Sequence, residues 1–348
     1  MTRAKRADVA RLAGVSSAVV SYVLNGGPRP VAEATRARVL AAVDELRYRP
    51  NASARALRLA RTNVLGLLIP DITNPYFSEF ALRLQDHAYA RGYGLMIANT
   101  GEDGVKATGE LRNMLGGEVD GIAIYSVRKP ETLKSIVKAG MKVVLLDWHL
   151  TDPNLPSVGI DDYGATRQAV EHLLSHGHRE VGFIAGTGDL TQRQQAWCDV
   201  MVTYCTPDRM ATLKAVGDFS REGGFLAALD LLQQRNPPKA IFVSSDVQAI
   251  GALRAVQHFG LRIPEDVAIV SLDGTEASAF TYPSLTAIQV PLDEIAKHCI
   301  DKLTALGSDE KMRTTVPHQL VTRESCGCDG RQSGTYLPEC PPPRPSSS

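Results

Sequence analysis

The chain is organised around the segment Tyr48-Arg49-Pro50-Asn51-Ala52-Ser53-Ala54-Arg55-Ala56-Leu57-Arg58, which runs on to Arg61. Pro50 should end the preceding helix, because the residue before a proline is pushed out of the α region. Asn51 can cap a new helix, in which alanine, leucine and arginine are well tolerated. That helix would be about seven or eight residues long, which is marginal for an isolated helix in water. It carries three arginines and no apolar stripe, so we interpret residues 51–61 as a hinge helix that forms on DNA.

Basic residues are concentrated at the N-terminal end of a chain whose charges balance overall, at 38 basic and 38 acidic residues. Up to Arg61 there are twelve Lys and Arg but only four Asp and Glu, a net charge of +8, so the rest of the chain carries −8. A neutral protein with one basic end indicates a polyanionic partner for that end. With 348 residues the chain is long enough for two or three domains.

The sequence contains no pattern typical of secretion or of a membrane span. Charged residues at positions 3, 5, 6, 8 and 11 interrupt the start of the chain, so it lacks the apolar core of a signal peptide. The longest apolar runs, such as 64–70, fall far short of the roughly 20 residues that span a bilayer. Six cysteines, at 198, 205, 299, 326, 328 and 340, include no CxxC pair. Cys326-Gly327-Cys328 is suggestive, but we interpret these as ordinary reduced thiols of a cytoplasmic protein with no membrane partner.

The first 50 residues show a pattern of three short helices. In the first, Val9, Leu12 and Ala13 lie at i, i+3 and i+4, which is one helical face. Gly14 suits the left-handed position that ends this helix, and Ser16 can cap the next. Two helices joined by a tight glycine turn form a helix-turn-helix, whose second helix enters the major groove of DNA. A third helix is predicted over 32–47, with the apolar residues Val39, Leu40, Val43 and Leu46.

The second helix separates inward from outward side chains. Its pattern turns four apolar residues inward: Val19, Val20, Val23 and Leu24. The outward residues, Ser17, Ala18, Ser21 and Tyr22, can make hydroxyl and van der Waals contacts to base edges, but no bidentate arginine–guanine pair. The alternative is a small three-helix bundle with no DNA role. The charge excess and the capped turn argue against it.

From Asn63 onward, apolar strands alternate with amphipathic helices. Strands are predicted at Val64–Ile69, Gly94–Asn99, Gly121–Tyr125, Lys142–Asp147, Val181–Ala185, Ala240–Ser244 and Val267–Leu272. Helices are predicted between them, among others at Glu79–Ala90, Ala165–Ser175, Gly224–Gln234 and Ala249–Phe259. Strands that alternate with helices of about 10–15 residues indicate parallel sheets, and the chain is long enough for two such lobes.

Polar and aromatic side chains follow four of the predicted strands, in Asp71–Phe77, Asp147-Trp148, Ser244-Ser245-Asp246 and Leu272-Asp273-Gly274. Ligands of open α/β sheets bind beyond the carboxyl ends of the strands. Carboxylates beside aromatic rings suit the hydroxyl groups and apolar faces of a polyol or sugar. Each aspartate taken singly can equally cap the next helix, but the set as a whole favours a ligand site.

The sequence gives little support for catalysis. It contains no phosphate loop ending in Lys-Ser/Thr, no HExxH and no GxSxG, and Gly186-Thr187-Gly188 lacks the third glycine of a dinucleotide fingerprint. His172, His176 and His178 lie near a predicted helix end, where we interpret them as solvated rather than metal-bound. We therefore expect no enzyme activity, no catalytic residue, no cofactor and no metal. Residues 331–348, rich in proline and serine, predict a disordered tail.

Several stretches together match one family pattern: Ala7–Ser16, Val20–Gly26, Tyr48–Ala52 with Ala56–Arg58, Asp71–Phe77, Ile263–Val267 and Arg323–Cys326. Through these motifs, which occur in order over residues 5 to about 327, the chain resembles the lactose/galactose-repressor (LacI/GalR) family of bacterial transcriptional regulators. The joint set is highly specific.

The resemblance implies a helix-turn-helix headpiece at 1–50, a hinge helix at 51–61, and an effector-binding and dimerisation domain at 62–330. That domain would be α/β with parallel sheets and similar to a two-lobed periplasmic sugar-binding protein. Lobe 1 would comprise about 62–158 and 290–318, and lobe 2 about 159–289 and 319–330. The implied partners are a second copy of the chain, a roughly palindromic double-stranded DNA operator, and a small-molecule effector that we expect to be a carbohydrate. No heptad follows residue 327, so a tetramer through a C-terminal coiled coil is not expected.

The resemblance also implies roles for individual residues. Leu57 corresponds to a side chain wedged into the minor groove at the operator centre, where it kinks the DNA. The family's Arg-x-x-Gly-aromatic ligand motif is represented by Arg193-Gln194-Gln195-Ala196-Trp197, which makes Arg193 the expected ligand contact. The expected DNA contacts are Ser16, Ser17, Ala18, Ser21, Tyr22, Asn25, Asn51, Ala54, Arg55, Leu57 and Arg58. The expected ligand contacts are Asp71, Asn74, Phe77, Asp147, Arg193, Phe219, Ser245, Asp246 and Asp273.

Three departures from the family pattern bear on specificity. Tyr22 stands where many members have an arginine that reads a base, so no guanine preference is implied there. Ser245 replaces a common asparagine, which shortens its reach, and Ala196 replaces the glycine of the motif, where it can crowd Arg193.

These observations predict a sequence-specific transcriptional repressor that a sugar releases from its operator. The alternative is a soluble sugar-binding sensor without a role in DNA regulation, against which the basic headpiece and the missing signal peptide argue. An enzyme built on the α/β lobes is remote, because no catalytic constellation is present.

Overall fold

The computed structural model describes residues 4–25, 29–49, 61–101, 104–116, 119–125, 140–146, 155–187, 191–305 and 312–328. The predicted hinge helix lies outside these residues except for its last position, as do Asp147 and the predicted tail at 331–348. Internal contacts divide the chain into two compact units, Met1–Thr62 and Asn63–Ser348.

The N-terminal unit contains three helices in the described residues: α1 (Arg6–Ala13), α2 (Ser17–Asn25) and α3 (Glu33–Glu45). Their buried side chains form one small core, contributed by Val9, Ala10, Ala13, Val20, Val23, Val39 and Ala42. The helices are short and weakly amphipathic, so each is held by its contacts to the other two rather than by its own propensity.

Two leucines of the predicted helices are exposed. Leu12 is 47% exposed and Leu40 is 41% exposed. In α1 the buried face consists of Val9, Ala10 and Ala13. These side chains are small and α1 is only eight residues long, so the three helices can approach closely. The periodicity places Leu12 on the same face as Val9 and Ala13, and for Leu12 that prediction was therefore wrong.

The second unit contains twelve strands in the described residues: β1 (Val64–Ile69), β2 (Gly94–Asn99), β3 (Gly121–Ile124), β4 (Lys142–Leu145), β5 (Ser157–Gly159), β6 (Gly182–Gly186), β7 (Lys214–Gly217), β8 (Ala240–Val243), β9 (Ala268–Asp273), β10 (Thr286–Gln289), β11 (Arg313–Thr315) and β12 (Gln319–Val321). All seven predicted strands are present, with ends within two residues of the prediction. The other five, β5, β7, β10, β11 and β12, were not predicted.

Nine helices of the second unit are described: α4 (Pro75–Ala90), α5 (Gly104–Leu115), α6 (Asp162–Ser175), α7 (Thr191–Met201), α8 (Pro207–Thr212), α9 (Arg221–Leu232), α10 (Asp246–His258), α11 (Glu276–Ala279) and α12 (Leu292–Thr304). A short 3-10 helix, Glu324–Cys326, follows β12. Among the residues that the structure describes, no single helix has the length and apolar composition to cross a membrane, although Arg6–Ala13 and Ser17–Leu24 meet those limits jointly across a 101° bend.

The strands form two six-stranded sheets, each the centre of one lobe. The strand order is β11-β5-β4-β3-β1-β2 in sheet 1 and β12-β10-β9-β8-β6-β7 in sheet 2. All neighbouring strands pair in parallel except β10 and β12, which pair antiparallel. The predicted α/β class with parallel sheets is therefore confirmed, with one antiparallel edge strand.

The chain passes between the two lobes three times. It leaves sheet 1 after β5 to form α6 beside sheet 2, and it returns after β10 to form α12, which packs against α4. It crosses again between β11 and β12. Because parallel strands place their carboxyl ends at one edge of a sheet, each lobe presents its strand ends together.

Candidate functional site

The turn between α1 and α2 has the geometry of a helix-turn-helix. Gly14 ends α1 at φ 64° and ψ 40°, the left-handed region, where a glycine is favoured because it has no Cβ. The Ser16 hydroxyl oxygen accepts a hydrogen bond from the Val19 N–H at 3.3 Å, which caps the start of α2. The two helices meet at 101°. Both local predictions, the glycine turn and the serine cap, are confirmed.

The face of α2 opposite the headpiece core is accessible. Ser16 and Ala18 are exposed, Tyr22 is half-buried, and Val20 and Val23 are buried on the opposite side. Ser17 and Ser21 are also half-buried. Nothing is described for the side chain of Asn25, and the five hinge residues with expected DNA contacts (Asn51, Ala54, Arg55, Leu57 and Arg58) lie outside the described residues.

In lobe 1, the strand ends carry a cluster of four aromatic rings. Tyr76, Phe77 and Phe80 on α4 meet Tyr125, which follows β3, in edge-to-face pairs with centroids 5.1–5.8 Å apart. The hydroxyl groups of Tyr76 and Tyr125 are hydrogen-bonded at 3.0 Å. Burial raises the pKa of Tyr76, so its phenol stays neutral. This side of the cleft therefore offers ring faces and neutral hydroxyl groups.

Asp71 and Asn74 hold the turn that leads into α4. The Asn74 side-chain oxygen accepts from the Tyr76 N–H at 3.1 Å, which caps α4, and Asn74 is only 4% exposed. Asp71 accepts from the backbone and the hydroxyl group of Thr73 at 2.8–2.9 Å. Asp71 and Asn74 therefore each hold the local backbone through hydrogen bonds. For Asp71, such a structural role is the alternative to ligand binding that the sequence left open.

In lobe 2, the dominant feature is an ion pair between Arg193 on α7 and Asp162, the first residue of α6. The Arg193 Nε donates to Asp162 Oδ1 at 2.9 Å, and the guanidinium also donates to the Ser244 carbonyl oxygen at 2.8 Å. The side chains are 16% and 9% exposed, respectively. A charged, donor-rich group is thereby fixed at the carboxyl end of β8.

Asp246 and Asp273 lie side by side next to this pair. Asp246 is 1% exposed, and its carboxylate accepts from the hydroxyl groups of Ser271 and Thr275 and from the Thr275 N–H. Asp273 accepts from the Asp246 N–H at 3.1 Å and has an unusual backbone φ of 125°. Burial, reinforced by the neighbouring Asp246 charge, raises the pKa of Asp273 well above its usual range. Such backbone strain is typical of functional positions.

Phe219 and Ser245 complete this edge of sheet 2. A Cβ atom at Gly186 would lie 2.1 Å from Cζ of Phe219, so the ring lies directly over the end of β6. The Ser245 hydroxyl caps α10 by accepting from the Gln248 N–H at 3.4 Å and donates to Gln248 Oε1 at 3.0 Å. Ser245 is 3% exposed.

The two sets of strand ends face each other. The electrostatic fields of Asp273, Arg193 and Asp162 all act on the pKa of Tyr76 in the opposite lobe. A direct contact also joins the lobes, since the Glu276 N–H donates to Glu79 Oε1 at 3.0 Å. The structure thus brings together residues from both lobes around one cleft.

Sequence reasoning missed three residues of this cleft: Tyr76, Tyr125 and Asp162. Tyr76 lies inside the quoted Asp71–Phe77 segment, so its signal was available. Asp162 follows β5, which has only three residues and was not predicted as a strand, so the strand-end argument did not reach it.

A separate group of side chains brings together two of the histidines that we interpreted as solvated and two of the cysteines that we interpreted as ordinary thiols. Among the described residues, His172, His176, Cys326 and Cys328 bring their ligand-type atoms within 4.8 Å of one another, at the opposite end of α6 from Asp162. Their spacing of about 150 residues along the chain hides the group from any motif search.

The raised pKa of Asp273 predicts a pH effect on stability. Between the ordinary aspartate value of about 3.9 and its raised value, the folded protein holds a proton that the unfolded chain has lost. Stability therefore falls as pH rises through this window. We expect Asp273→Asn to lack this loss, so that it gains stability relative to wild type as the pH increases from 5 to 8 in denaturant unfolding without ligand.

Asp266→Asn serves as the control for this pH effect. Hydrogen bonds from Arg262 hold the pKa of half-buried Asp266 at about 2, so its charge is constant over the same pH range. Its unfolding curves should differ from wild type by a constant amount. Parallel pH profiles for Asp273→Asn and wild type would contradict the assigned burial of an ionisable Asp273.

The comparisons with known proteins agree with this geometry. Residues 7–51 match the family described as bacterial regulatory proteins, lacI family, and residues 170–326 match the periplasmic binding protein-like domain. The catabolite control protein A of Priestia megaterium is 33% identical over 326 residues, which cover 91% of this chain and 98% of that relative. The ribose operon repressor of Escherichia coli K12 is 33% identical over 304 residues, 85% of this chain and 91% of that repressor.

Solved structures show the same two-part architecture. A Lac repressor dimer bound to operator and the anti-inducer ONPF superposes with a TM-score of 0.81 at 26% identity, covering 93% of this chain and 99% of that one. A complex of the transcriptional regulator CelR with cellobiose gives a TM-score of 0.68 at 28% identity, covering 93% and 100%. The relatives named here are transcriptional regulators. The chain therefore belongs to the LacI family of bacterial regulatory proteins, as a DNA-binding transcriptional regulator with a helix-turn-helix domain and a periplasmic-binding-protein-like domain.

Proposed function

We propose that this protein represses transcription by binding a roughly palindromic operator as a homodimer, and that a sugar bound between its two lobes releases it. The observation that carries the proposal for the effector is the Arg193–Asp162 pair opposite the Tyr76–Tyr125 rings. Ionised groups suit sugar hydroxyls because charge-assisted hydrogen bonds are the stronger ones. Aromatic rings suit the apolar faces of a sugar. The CelR–cellobiose complex and the ribose operon repressor, both similar to this chain, support a carbohydrate.

For the operator, we propose major-groove contacts from Ser16, Ser17, Ala18, Ser21, Tyr22 and Asn25. The exposure of Ser16 and Ala18 beside the capped turn supports this choice. Minor-groove contacts are assigned to Asn51, Ala54, Arg55, Leu57 and Arg58. Because the outward residues of α2 are small apart from Tyr22, base reading there would rest on hydroxyl and van der Waals contacts.

For the effector, we propose that Arg193 and Asp273 make the principal polar contacts, with Phe77 and Phe219 against the apolar faces. Asp71 is assigned to the rim, and Asp147, which lies outside the described residues, is proposed as a further ligand contact on the sequence alone. Three further residues, Asn74, Ser245 and Asp246, are buried and bonded to their own neighbours, so their role is to shape the floor of the cleft.

A homodimer is supported by apolar side chains that lobe 1 leaves exposed. Leu82 and Tyr89 on α4 are 54% and 82% exposed, seven residues apart and thus on one helical face. Ile97, 41% exposed, lies on β2 at the edge of sheet 1. Exposed apolar side chains that share one helical face are a feature of protein interfaces. The Lac repressor, a structural neighbour, is a dimer on its operator.

The proposed control follows thermodynamic linkage. A ligand shifts a conformational equilibrium only by its differential affinity for the two states. A sugar that touches both lobes binds the closed arrangement better than an open one, because only the closed arrangement makes both sets of contacts. The three chain segments that cross between the lobes would change conformation when the lobes open or close. We further propose that the protein acts in the cytoplasm, where bacterial operators are, and has no catalytic activity.

The test is selection of bound duplexes from a random DNA pool by the full-length protein, repeated with a panel of sugars. We expect an enriched palindrome whose recovery falls in the presence of one sugar. A palindrome indifferent to every sugar would overturn the effector class. No enriched sequence, even at low salt, would overturn operator binding in favour of a sugar-binding sensor.

Two variants test the proposed base contacts of α2 in the same selection experiment. Tyr22→Ala should change the enriched sequence at one position of each half-site, because Tyr22 is the largest side chain on the proposed reading face. Tyr282→Ala, a matched change at a residue that is 87% exposed in lobe 2, should leave the enriched sequence unaltered. Duplex binding by both variants should weaken steeply as the salt concentration rises, since each phosphate contact adds to the slope of log K against log salt concentration.

A further inference from the structure

Four potential metal ligands meet where the end of α6 contacts the last described residues of the chain. His172 lies in the last turn of α6, and His176 follows four residues later as the residue that ends the helix. Residues at i and i+4 project from one helical face, so the two imidazoles are neighbours, with ring centroids 4.8 Å apart. The H-x3-H spacing on a helix is one that zinc sites use.

The two cysteines reach the same point because the chain reverses between them. Cys326 is the final residue of the 3-10 helix Glu324–Cys326. Gly327 follows at φ 91°, a left-handed conformation that a glycine adopts without strain. This turn brings Cys328 back toward α6, and a Cβ at Gly327 would lie 3.9 Å from His176 Nδ1.

The distances between the ligand-type atoms fit one tetrahedral ion. His172 Nε2 is 3.3 Å from Cys326 Sγ and 3.7 Å from Cys328 Sγ, and His176 Nε2 is 3.3 Å from Cys328 Sγ. All four atoms lie within 4.8 Å of one another. Zinc bonds of about 2.3 Å to sulfur and about 2.0–2.1 Å to nitrogen separate S and N by about 3.6 Å in a tetrahedron. The observed separations scatter around that value.

The surroundings suit a thiolate and a structural ion. Cys326 is 2% exposed, and its sulfur lies 3.0 Å from the Thr286 hydroxyl group, which can donate to it. A hydrogen bond from outside the ligand set is typical of metal-bound thiolates. His176 is exposed and Cys328 is half-buried, so solvent reaches the group from one side and an ion has a route of entry.

We propose that His172, His176, Cys326 and Cys328 bind one Zn²⁺ in a tetrahedral site of two imidazole nitrogens and two thiolate sulfurs. Zinc is the ion that such a mixed N₂S₂ set favours. On binding, the two thiols release their protons to solvent and both imidazoles bind as neutral Nε2 donors. The ion fastens the C-terminal segment to α6, the helix whose other end carries Asp162.

The test uses the full-length protein, purified with a phosphine reductant, depleted of metal with a chelator and reloaded with zinc. We expect one zinc per chain by elemental analysis after gel filtration. With Co²⁺ in its place, we expect visible d–d absorption of tetrahedral intensity and a thiolate-to-cobalt charge-transfer band. Zinc should also raise the Tm of the wild-type protein, because a ligand that binds only the folded state stabilises it.

Matched substitutions distinguish this site from adventitious binding. Cys328→Ser and His176→Gln should no longer bind zinc, and zinc should no longer raise their Tm. With Co²⁺ they should lose the charge-transfer band or the tetrahedral spectrum. Cys205→Ser and His178→Gln change a cysteine and a nearby histidine outside the group, and both should retain all three. Stoichiometric zinc in either Cys328→Ser or His176→Gln, or no uptake by the reduced wild-type protein, would overturn the proposal. A Cys326–Cys328 disulfide that reforms in preference to zinc binding under the reductant would do the same.

Discussion

Replacing Arg193 by alanine is expected to abolish the response to the effector while operator binding persists. Arg193 is held by Asp162 at 2.9 Å and by the Ser244 carbonyl at 2.8 Å, so its guanidinium is presented to the cleft in one orientation. A hydrogen bond to a charged group contributes about 1.5–3 kcal/mol. Its loss corresponds to a decrease in effector affinity of roughly 10- to 150-fold at about 1.4 kcal/mol per factor of ten.

Arg193→Ala should also lower the stability of the effector domain. Removing one partner of a largely buried ion pair costs about 3 kcal/mol or more, because the other charge stays in a poorly solvated position. Arg193→Lys, which retains the charge without the planar fork, should recover most of this stability and little of the effector affinity. Calorimetric titration with the sugar and denaturant unfolding measure the two effects separately.

Arg209→Ala is the control. Arg209 pairs with Glu180 at 2.6 Å and donates to the Asn236 carbonyl, the same combination of carboxylate and carbonyl partners, but on α8 and without a contact to the cleft residues. Its pair is more exposed, so the loss of stability should be about 1 kcal/mol or less. The effector response should be intact. A normal response in Arg193→Ala, or an equal loss in Arg209→Ala, would remove Arg193 from the ligand site.

The second large effect is expected at Leu57. If its side chain is wedged between base steps at the operator centre, Leu57→Ala removes the group that sustains the kink. Kinking and bending a site costs on the order of 1–6 kcal/mol, which the contacts of the bound state must offset. We therefore expect specific affinity to fall by roughly 10- to 100-fold, at about 1.4 kcal/mol per tenfold change. DNA bending should decrease as well.

Nonspecific binding should be nearly unchanged in Leu57→Ala, because it depends on the arginine and lysine contacts to phosphates. Leu59→Ala is the matched control within the same segment and should retain both affinity and bending. Gel-shift titrations on operator and on random duplex, with a circular-permutation bending assay, distinguish these outcomes. Equal bending by Leu57→Ala and wild type would exclude the wedge role.

Local sequence patterns predicted those strands that are continuous apolar runs. Val64–Ile69 and Ala268–Asp273, for example, are buried along most of their length, and both were predicted to within one residue. The strands that were missed are three or four residues long and often polar, such as Arg313–Thr315 and Gln319–Val321. These segments are strands because a neighbouring strand supplies their hydrogen bonds, and nothing local records that pairing.

The headpiece also separates features that the local sequence predicts from features that depend on tertiary packing. The turn at Gly14 and the cap at Ser16 are local hydrogen-bonding and backbone requirements, and both were predicted correctly. The placement of Leu12 on the face of Val9 and Ala13 was not predicted correctly, because its burial depends on how closely three short helices approach one another.

The sequence by itself determined the family, the α/β class and the strand ends where a ligand can bind, because these depend on motifs, periodicity and caps within a few residues. The tertiary structure alone decided which side chains meet. It paired Arg193 with Asp162, placed Tyr76 opposite both, and joined His172 and His176 to two cysteines about 150 residues later. Such contacts depend on the order of strands in the two sheets and on the chain's crossings between lobes, which no local pattern encodes.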